Sequence, residues 1–295
     1  MTTLNGTCRL ENDTGELTAL PGLEAISNQL AGLSTVLRAE QARSRAGIEI
    51  RRPTWKNLVF TGGPGAGKSR AARAVACQYH DLGLLRYGQL IEIPAADLAG
   101  ATPRETGTLI EEAIKPSGDL LMITDAHTWQ ALPDRGQHVL RCVYRQLTEA
   151  RKLSRHDDLA VILAGQAGPL RGLLRASPAL AARFPAIIDF PGYIPGQLAA
   201  IFTTLAAEAG FTLTAAAERK AAAVLAHAEA GQASGNARLA VRLLTQVTAA
   251  QARRITTAPE PPGPAGLSAI TEADIPGHLH PEDPDADDQR PGQYL

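Results

Sequence analysis

Hydrophobic positions along the chain follow two rhythms. Between 23 and about 46, Leu23, Ile26, Leu30, Leu33 and Leu37 recur at the spacing of one helical face, and Gly47 then supplies a stop. Further on, the apolar residues gather into short unbroken runs. These are Leu58-Val59-Phe60-Thr61, Leu90-Ile91-Glu92-Ile93, Leu120-Leu121-Met122-Ile123, the stretch 159–163, and Ile187-Ile188-Asp189-Phe190. Runs of this length and character suit strands covered on both faces. Helical stretches over about 70–80, 104–114, 137–153 and 178–182 separate them. Strand–helix alternation of this kind predicts a doubly wound α/β domain with a five-stranded, mainly parallel sheet.

After Pro191 the strand signal disappears. From 195 to about 255 the chain is Ala-rich and helical throughout. Leu198, Ile201, Phe202 and Leu205 form one apolar stripe, and Leu239, Leu243 and Val247 form another. The expected organisation is therefore a flexible leader at 1–19, the α/β domain at 20–191, a small all-α domain at 192–257 and a tail at 258–295. The tail is Pro-rich and then acidic, through Glu282-Asp283-Pro284-Asp285-Ala286-Asp287-Asp288. It has little apolar surface to bury and is expected to be mostly disordered. One short helix can begin within 268–274, where a Ser/Thr cap precedes acidic residues.

Composition narrows the function classes. The chain is 44% hydrophobic but only 4% aromatic, so its core must be built from Leu, Ile, Val and Ala. A formal net charge of −1 supplies no global positive field, so neither nucleic acid nor an anionic membrane is an expected partner. The local cluster of Arg43, Arg45, Arg51 and Arg52 reads as a solvated face or a subunit contact. Three widely spaced cysteines, Cys8, Cys77 and Cys142, show no disulfide rhythm and no zinc spacing. The first residues lack a signal-peptide pattern, and no apolar run is long enough to span a bilayer. A soluble, cytoplasmic protein is the expectation.

The chemistry is announced by Gly62-Gly63-Pro64-Gly65-Ala66-Gly67-Lys68-Ser69, which satisfies G-x-x-x-x-G-K-[ST] in full. Glycines let the backbone curl until successive N–H groups point at phosphate oxygens. The helix that follows adds its positive end. Lys68 is placed to bridge β- and γ-phosphates, and the Ser69 hydroxyl to coordinate Mg²⁺. Gly63, Pro64, Gly65, Ala66, Gly67, Lys68, Ser69 and Arg70 are thus the expected contacts of bound ATP.

Several short motifs, in order, resemble the CbbX, EccA and stage V sporulation protein K group of AAA+ ATPases. Leu20-Pro21-Gly22-Leu23 is similar to the group's entry turn, and 58–69 to its strand and loop. Leu82-Gly83-Leu84-Leu85-Arg86-Tyr87-Gly88, Leu163-Ala164-Gly165, Ser177-Pro178-Ala179-Leu180-Ala181-Ala182-Arg183-Phe184 and Phe190-Pro191-Gly192-Tyr193 resemble later motifs. Gly235-Asn236-Ala237-Arg238 matches the group's GNAR directly. The resemblance spans 20–255 and implies a P-loop AAA+ core followed by a helical lid, with ATP and Mg²⁺ as cofactors. It implies a homo-oligomeric ring in which Arg183 is an arginine finger reaching a neighbour's γ-phosphate and Arg238 a lid arginine sensing its own.

Two departures from the group stand out. Its third strand normally ends in Asp-Glu, the Asp for the Mg²⁺ water shell and the Glu for the attacking water. Here the text is Leu121-Met122-Ile123-Thr124-Asp125-Ala126-His127. One alignment puts Thr124 at the magnesium position and Asp125 at the catalytic one; sliding by one puts Asp125 at the magnesium position and Ala126 at the catalytic one. Either way a single carboxylate, Asp125, does the work of two, and slow turnover is expected. His127 reads as a structural histidine or a polar neighbour. The second departure is at Asp97-Leu98-Ala99-Gly100-Ala101-Thr102, where the group has a bulky residue in a pore-lining loop and this chain offers Thr102. An Ala/Thr loop has little apolar area with which to pull a peptide.

The sequence therefore supports an ATP-binding AAA+ protein that hydrolyses ATP slowly to remodel or assemble a protein partner. The competing reading is a hydrolysis-impaired scaffold whose assembly state ATP sets.

Overall fold

The computed structural model describes residues 22–48, 56–100, 102–114, 120–131, 138–139, 141–142, 145, 159–231, 236–258 and 263–279. The leader, most of the helix expected over 137–153 and the acidic tail segment lie outside the described residues. The described chain divides into two compact units. One is formed by 23–62 and 68–190, the other by Gly22, 63–67 and the chain from Pro191 onward.

In the first unit, α1 (Glu24–Arg45) buries Ile26, Leu30 and Leu37, and Leu23 just before it is buried with them, as the periodicity predicts. Leu33 is only half-buried; Ser34 takes the inward place and donates its hydroxyl to the Leu30 carbonyl at 3.0 Å. That bond back to the preceding turn is how a buried serine satisfies itself in a helix. The strands are β1 (Leu58–Thr61), β2 (Leu90–Pro94), β3 (Leu120–Thr124), β4 (Ala160–Gly165) and β5 (Ala186–Asp189). They lie in the order β2-β3-β4-β1-β5, and every pairing is parallel.

Alternate strand residues explain why the sheet is covered. Val59, Ile91, Ile93, Leu121, Ile123, Val161 and Leu163 share one apolar cluster with Leu98, Ile110, Trp129 and Leu170. The helices that supply it are α3 (Ala95–Gly100), α4 (Pro103–Ile114) and α5 (Ala167–Ala176), with a 3-10 turn at Ala126–Ala131. Fully buried Trp129 donates its indole N–H to the Ala95 carbonyl at 3.0 Å, so its polar atom is satisfied inside the core. The helix after the phosphate loop, α2 (Lys68–Asp81), buries Ala71, Ala72, Val75, Ala76 and Tyr79. Burial pushes the Tyr79 hydroxyl well above the ordinary phenol range. Cys142 is a free, buried thiol.

The segment expected as a pore-lining loop is mostly helix. Ala95 to Gly100 form α3 with Leu98 and Ala99 buried, and α4 starts at Pro103. Thr102 stands exposed between them as a cap. Its N–H donates to Oε2 of Glu105 at 2.8 Å, and its hydroxyl accepts the Glu105 N–H at 3.4 Å. This is a capping box followed by Pro at the first helical position, a combination that starts a helix wherever it occurs. The bonds from Thr102 hold the Glu105 carboxyl below its usual range.

The second unit contains α7 (Pro195–Glu208), α8 (Ala215–Gly231) and α9 (Ala237–Thr257), both of the latter packing on α7; α6 (Pro178–Ala181) belongs to the first unit. Its stripe on α7 is Leu198, Ile201, Phe202 and Ala206, with Leu205 only half-buried. The structure does not stop at 257. A short strand, β6 (Thr212–Leu213), pairs in parallel with β7 (Ala269–Ile270), reached through α10 (Pro264–Ser268) and followed by a 3-10 turn at Glu272–Asp274. Residues 263–279 are thus folded onto the helices rather than disordered. Polar groups do the fastening. Arg254 of α9 grips buried Asp274 through Nε at 2.8 Å and Nη2 at 2.9 Å, and Gln251 donates to the carbonyls of Leu267 and Ala269. Among the described residues no helix is long and apolar enough to cross a membrane.

Candidate nucleotide-binding site

Parallel strands place all their carboxyl ends on one edge, where open α/β sheets bind ligands. The segments leaving β1, β3 and β4 begin there at Gly62, Asp125 and Gln166. Gly62 donates its N–H to the Gly165 carbonyl at 3.0 Å, which anchors the phosphate loop to the end of β4. Gly65 and Gly67 have φ of 68° and 87°, values that side chains resist, and these two residues give the loop its curl. Lys68 donates its ammonium to the Gly62 carbonyl at 2.9 Å. Ser69, on the first turn of α2, donates its hydroxyl to Oε2 of Glu92 at 3.0 Å. Arg70 is half-buried on the same turn.

At the end of β3 the strand's last residue is Thr124, paired in register with Pro94. Asp125 follows with φ 52°, a left-handed turn that swings its side chain out; 69% of that side chain is exposed. Its carbonyl accepts the N–H and hydroxyl of Thr128 at 2.9 and 2.8 Å, starting the 3-10 turn. Its carboxylate Oδ1 lies 3.9 Å from Nδ1 of His127. His127 lies against Gly165, so closely that a Cβ there would come within 2.9 Å of its ring. The structure thus brings Asp125 together with His127, while Ser69 is engaged by Glu92 and not by Asp125. Glu92 gave no signal in the sequence beyond an acid inside an apolar run. Among the described residues, no group of three or more His, Cys, Asp or Glu could hold a metal unaided.

Arg183 is half-buried in the turn after α6. That turn is held by Asn57, which donates to the Arg183 carbonyl at 3.1 Å and accepts the Val161 N–H at 2.9 Å. One side chain ahead of β1 therefore ties β4 to the segment carrying the arginine.

Within the second unit, the phosphate-loop residues meet Asn236. Its Nδ2 donates to the Pro64 carbonyl at 2.9 Å, its Oδ1 accepts the Tyr193 N–H at 3.2 Å, and the next N–H, from Ala237, reaches the Gly65 carbonyl at 3.2 Å. Asn236 is buried and has φ 45°, so this backbone is held by its surroundings. The carbonyls of Pro64 and Gly65 are taken by these bonds. Arg238 is exposed on the first turn of α9. The sequence motif pointed to Arg238 and passed over Asn236.

A parallel sheet with β4 inserted between β1 and β3, a complete phosphate loop after β1 and a following helical domain define a P-loop ATPase core with its lid. The chain belongs to the AAA family, the ATPase family associated with various cellular activities, whose profile matches residues 58–191, with the AAA lid domain profile at 195–287. Membership implies ATP binding. The chain is 29% identical over 260 residues to protein CfxQ of Xanthobacter flavus, covering 87% of this chain and 80% of that one. It is 27% identical over 245 residues to the chloroplastic ribulose bisphosphate carboxylase/oxygenase activase of Cyanidioschyzon merolae, covering 81% of each. The crystal structure of the FIGL-1 AAA domain shares the fold with a TM-score of 0.56 at 18% identity, over 88% of this chain and 80% of that one.

Proposed function

We infer that this protein binds ATP with Mg²⁺ and hydrolyses it slowly, using the cycle to remodel or assemble a protein partner in a homo-oligomeric ring. The observation that carries the slow rate is the end of β3. Thr124 closes the strand and Asp125 stands beyond it on a left-handed turn, which favours Thr124 at the magnesium position and Asp125 at the water-activating one. Asp is one methylene shorter than Glu, so its reach toward an attacking water is reduced. A relative named as an activase of another enzyme supports a protein as the partner.

The residues present fit the magnesium ion. Ser69 offers a hard oxygen donor with the Glu92 carboxylate behind it, and such a site would be completed by nucleotide phosphates and water. When bound, the ion neutralises charge on the β- and γ-phosphates. The chain's own groups do the rest. The loop amides of 63–67 cradle phosphate oxygens, Lys68 leaves the Gly62 carbonyl for them, and Asp125 orients water with His127 beside it. Arg183 serves a neighbour's γ-phosphate and Arg238 its own.

Steady-state ATPase measured beside fluorescent-ATP binding tests this. Asp125→Asn should bind as wild type and turn over about 10²–10⁴-fold more slowly. Lys68→Ala should lose both, and Arg183→Ala should lose turnover in a ring that mass photometry still detects. Binding without any Asp125-dependent turnover would refute the enzyme and leave the nucleotide-set scaffold.

A further inference from the structure

The strand that should carry two carboxylates carries one, yet a second acid reaches the phosphate loop from elsewhere. Glu92 stands on β2, opposite Met122 of β3, and its Oε2 accepts the Ser69 hydroxyl at 3.0 Å. Its other oxygen, Oε1, is shielded from solvent and makes no hydrogen bond. It lies 3.6 Å from Nη2 of Arg73, which stands one turn along α2 from Ser69. Both partners of the carboxylate are thus on α2, and the arginine keeps the group from rotating away.

A serine hydroxyl has one proton and two lone pairs. A cation at Ser69 needs the lone pairs, and a proton directed at it would oppose binding. Glu92 takes that proton sideways. Its negative charge would also stand close to a cation held by the Ser69 hydroxyl, a charge that Thr124 does not supply.

We propose that Glu92 is a positioning residue for magnesium: it fixes the Ser69 hydroxyl with its lone pairs toward the cation and supplies the second carboxylate that β3 lacks. The assignment rests on the ATP reading above and adds to it a source for the missing charge. Groups that orient a metal ligand in this way typically change metal affinity by about 10–100-fold.

The test is a titration of the full chain with a fluorescent ATP analogue, in Mg²⁺ and in EDTA, with a Mg²⁺ titration at fixed nucleotide. Glu92→Gln keeps the shape and an acceptor oxygen but removes the charge. It should raise the Mg²⁺ needed for half-saturation by about 10–100-fold and leave the affinity in EDTA within about twofold. Ser69→Ala should raise the requirement at least as far, and the double variant should fall short of the combined single shifts, because part of the effect of Glu92 passes through Ser69. Glu92→Asp, should Glu92→Gln not fold, must show an intermediate Mg²⁺ requirement. An unchanged Mg²⁺ requirement in Glu92→Gln overturns the proposal. So does an equal loss in Mg²⁺ and EDTA, which a merely structural acid would give. If wild type and Lys68→Ala bind the analogue equally poorly, the ATP reading itself falls, an outcome separable from either of these.

Discussion

Replacing Asn236 by Ala isolates what holds the phosphate loop within the second unit. The side chain donates to Pro64 and accepts from Tyr193. The Pro64 carbonyl belongs to an exposed residue and can take water in exchange, so its loss costs little. Tyr193 is 6% exposed, and its stranded N–H costs about 1–2 kcal/mol. Alanine must also adopt φ 45°, which asparagine tolerates better, for about 1 kcal/mol more. The total of about 2–3 kcal/mol corresponds to roughly 30- to 160-fold in the population of the held loop. ATP affinity should fall by up to that factor, and amide exchange across 62–69 should accelerate, with the melting of the first unit unchanged. Asn236→Gly makes neither bond but accepts the backbone angle freely, so it should recover about fivefold relative to Asn236→Ala. Wild-type ATP affinity in Asn236→Ala, or a glycine variant no better than the alanine one, would refute the reasoning.

Two further perturbations test the packing of each unit. Burial by itself would raise the Asp274 carboxyl, but hydrogen bonds from Arg254 and from the N–H and hydroxyl of Thr271 outweigh it and leave the group below its usual 3.8. A depressed carboxyl stabilises fully above its unfolded value and loses that contribution as pH falls through the folded one. Thermal melts of wild type and Asp274→Asn should therefore differ by about 2 kcal/mol at neutral pH and converge below about pH 4; a difference independent of pH would sink the ion-pair account. Gly165→Ala would set its Cβ 2.9–3.0 Å from the ring and backbone nitrogen of His127, and overpacking of that kind costs about 1–3 kcal/mol. It should lower the melting temperature by several degrees, whereas Gly168→Ala, which meets nothing within 4 Å on α5, should leave it unchanged or raise it.

Where one physical signal dominated, the sequence was legible. β1, β3 and β4 are apolar runs because both faces of the inner sheet are covered, and the phosphate loop is read from glycines that its φ angles require. Legibility ended where polar groups were buried in pairs. The fold of 263–279 depends on Arg254, Gln251 and Asp274, residues whose composition signals solvent and whose partners are distant in sequence. The region 97–102 was expected as a loop only because the resembling group has one there, whereas most of it is helix, with a corner before the next helix that Thr102 and Glu105 cap. Asn57 and Asn236 were invisible as anchors, since an asparagine's role lies in the two backbone groups that it joins.

The acids are the part of the site where sequence and structure pull hardest on each other. A motif compares positions along one strand, so it finds Thr124 where an acid is expected and counts a deficit. A sheet also compares positions across strands. Glu92 is separated from Thr124 by thirty-two positions in the chain but by a single strand spacing in the sheet, two residues short of the Pro94–Thr124 pair. Electrostatics depends on distance and not on which strand supplies the charge. The two acids are nevertheless not equivalent to an Asp-Glu pair. Glu92 is committed to Ser69 and Arg73, which suits holding an ion, while Asp125 is turned outward beside His127 and largely exposed. Dividing binding and turnover between two strands in this way predicts that they can be lost separately: Glu92→Gln should affect the magnesium requirement and Asp125→Asn the rate.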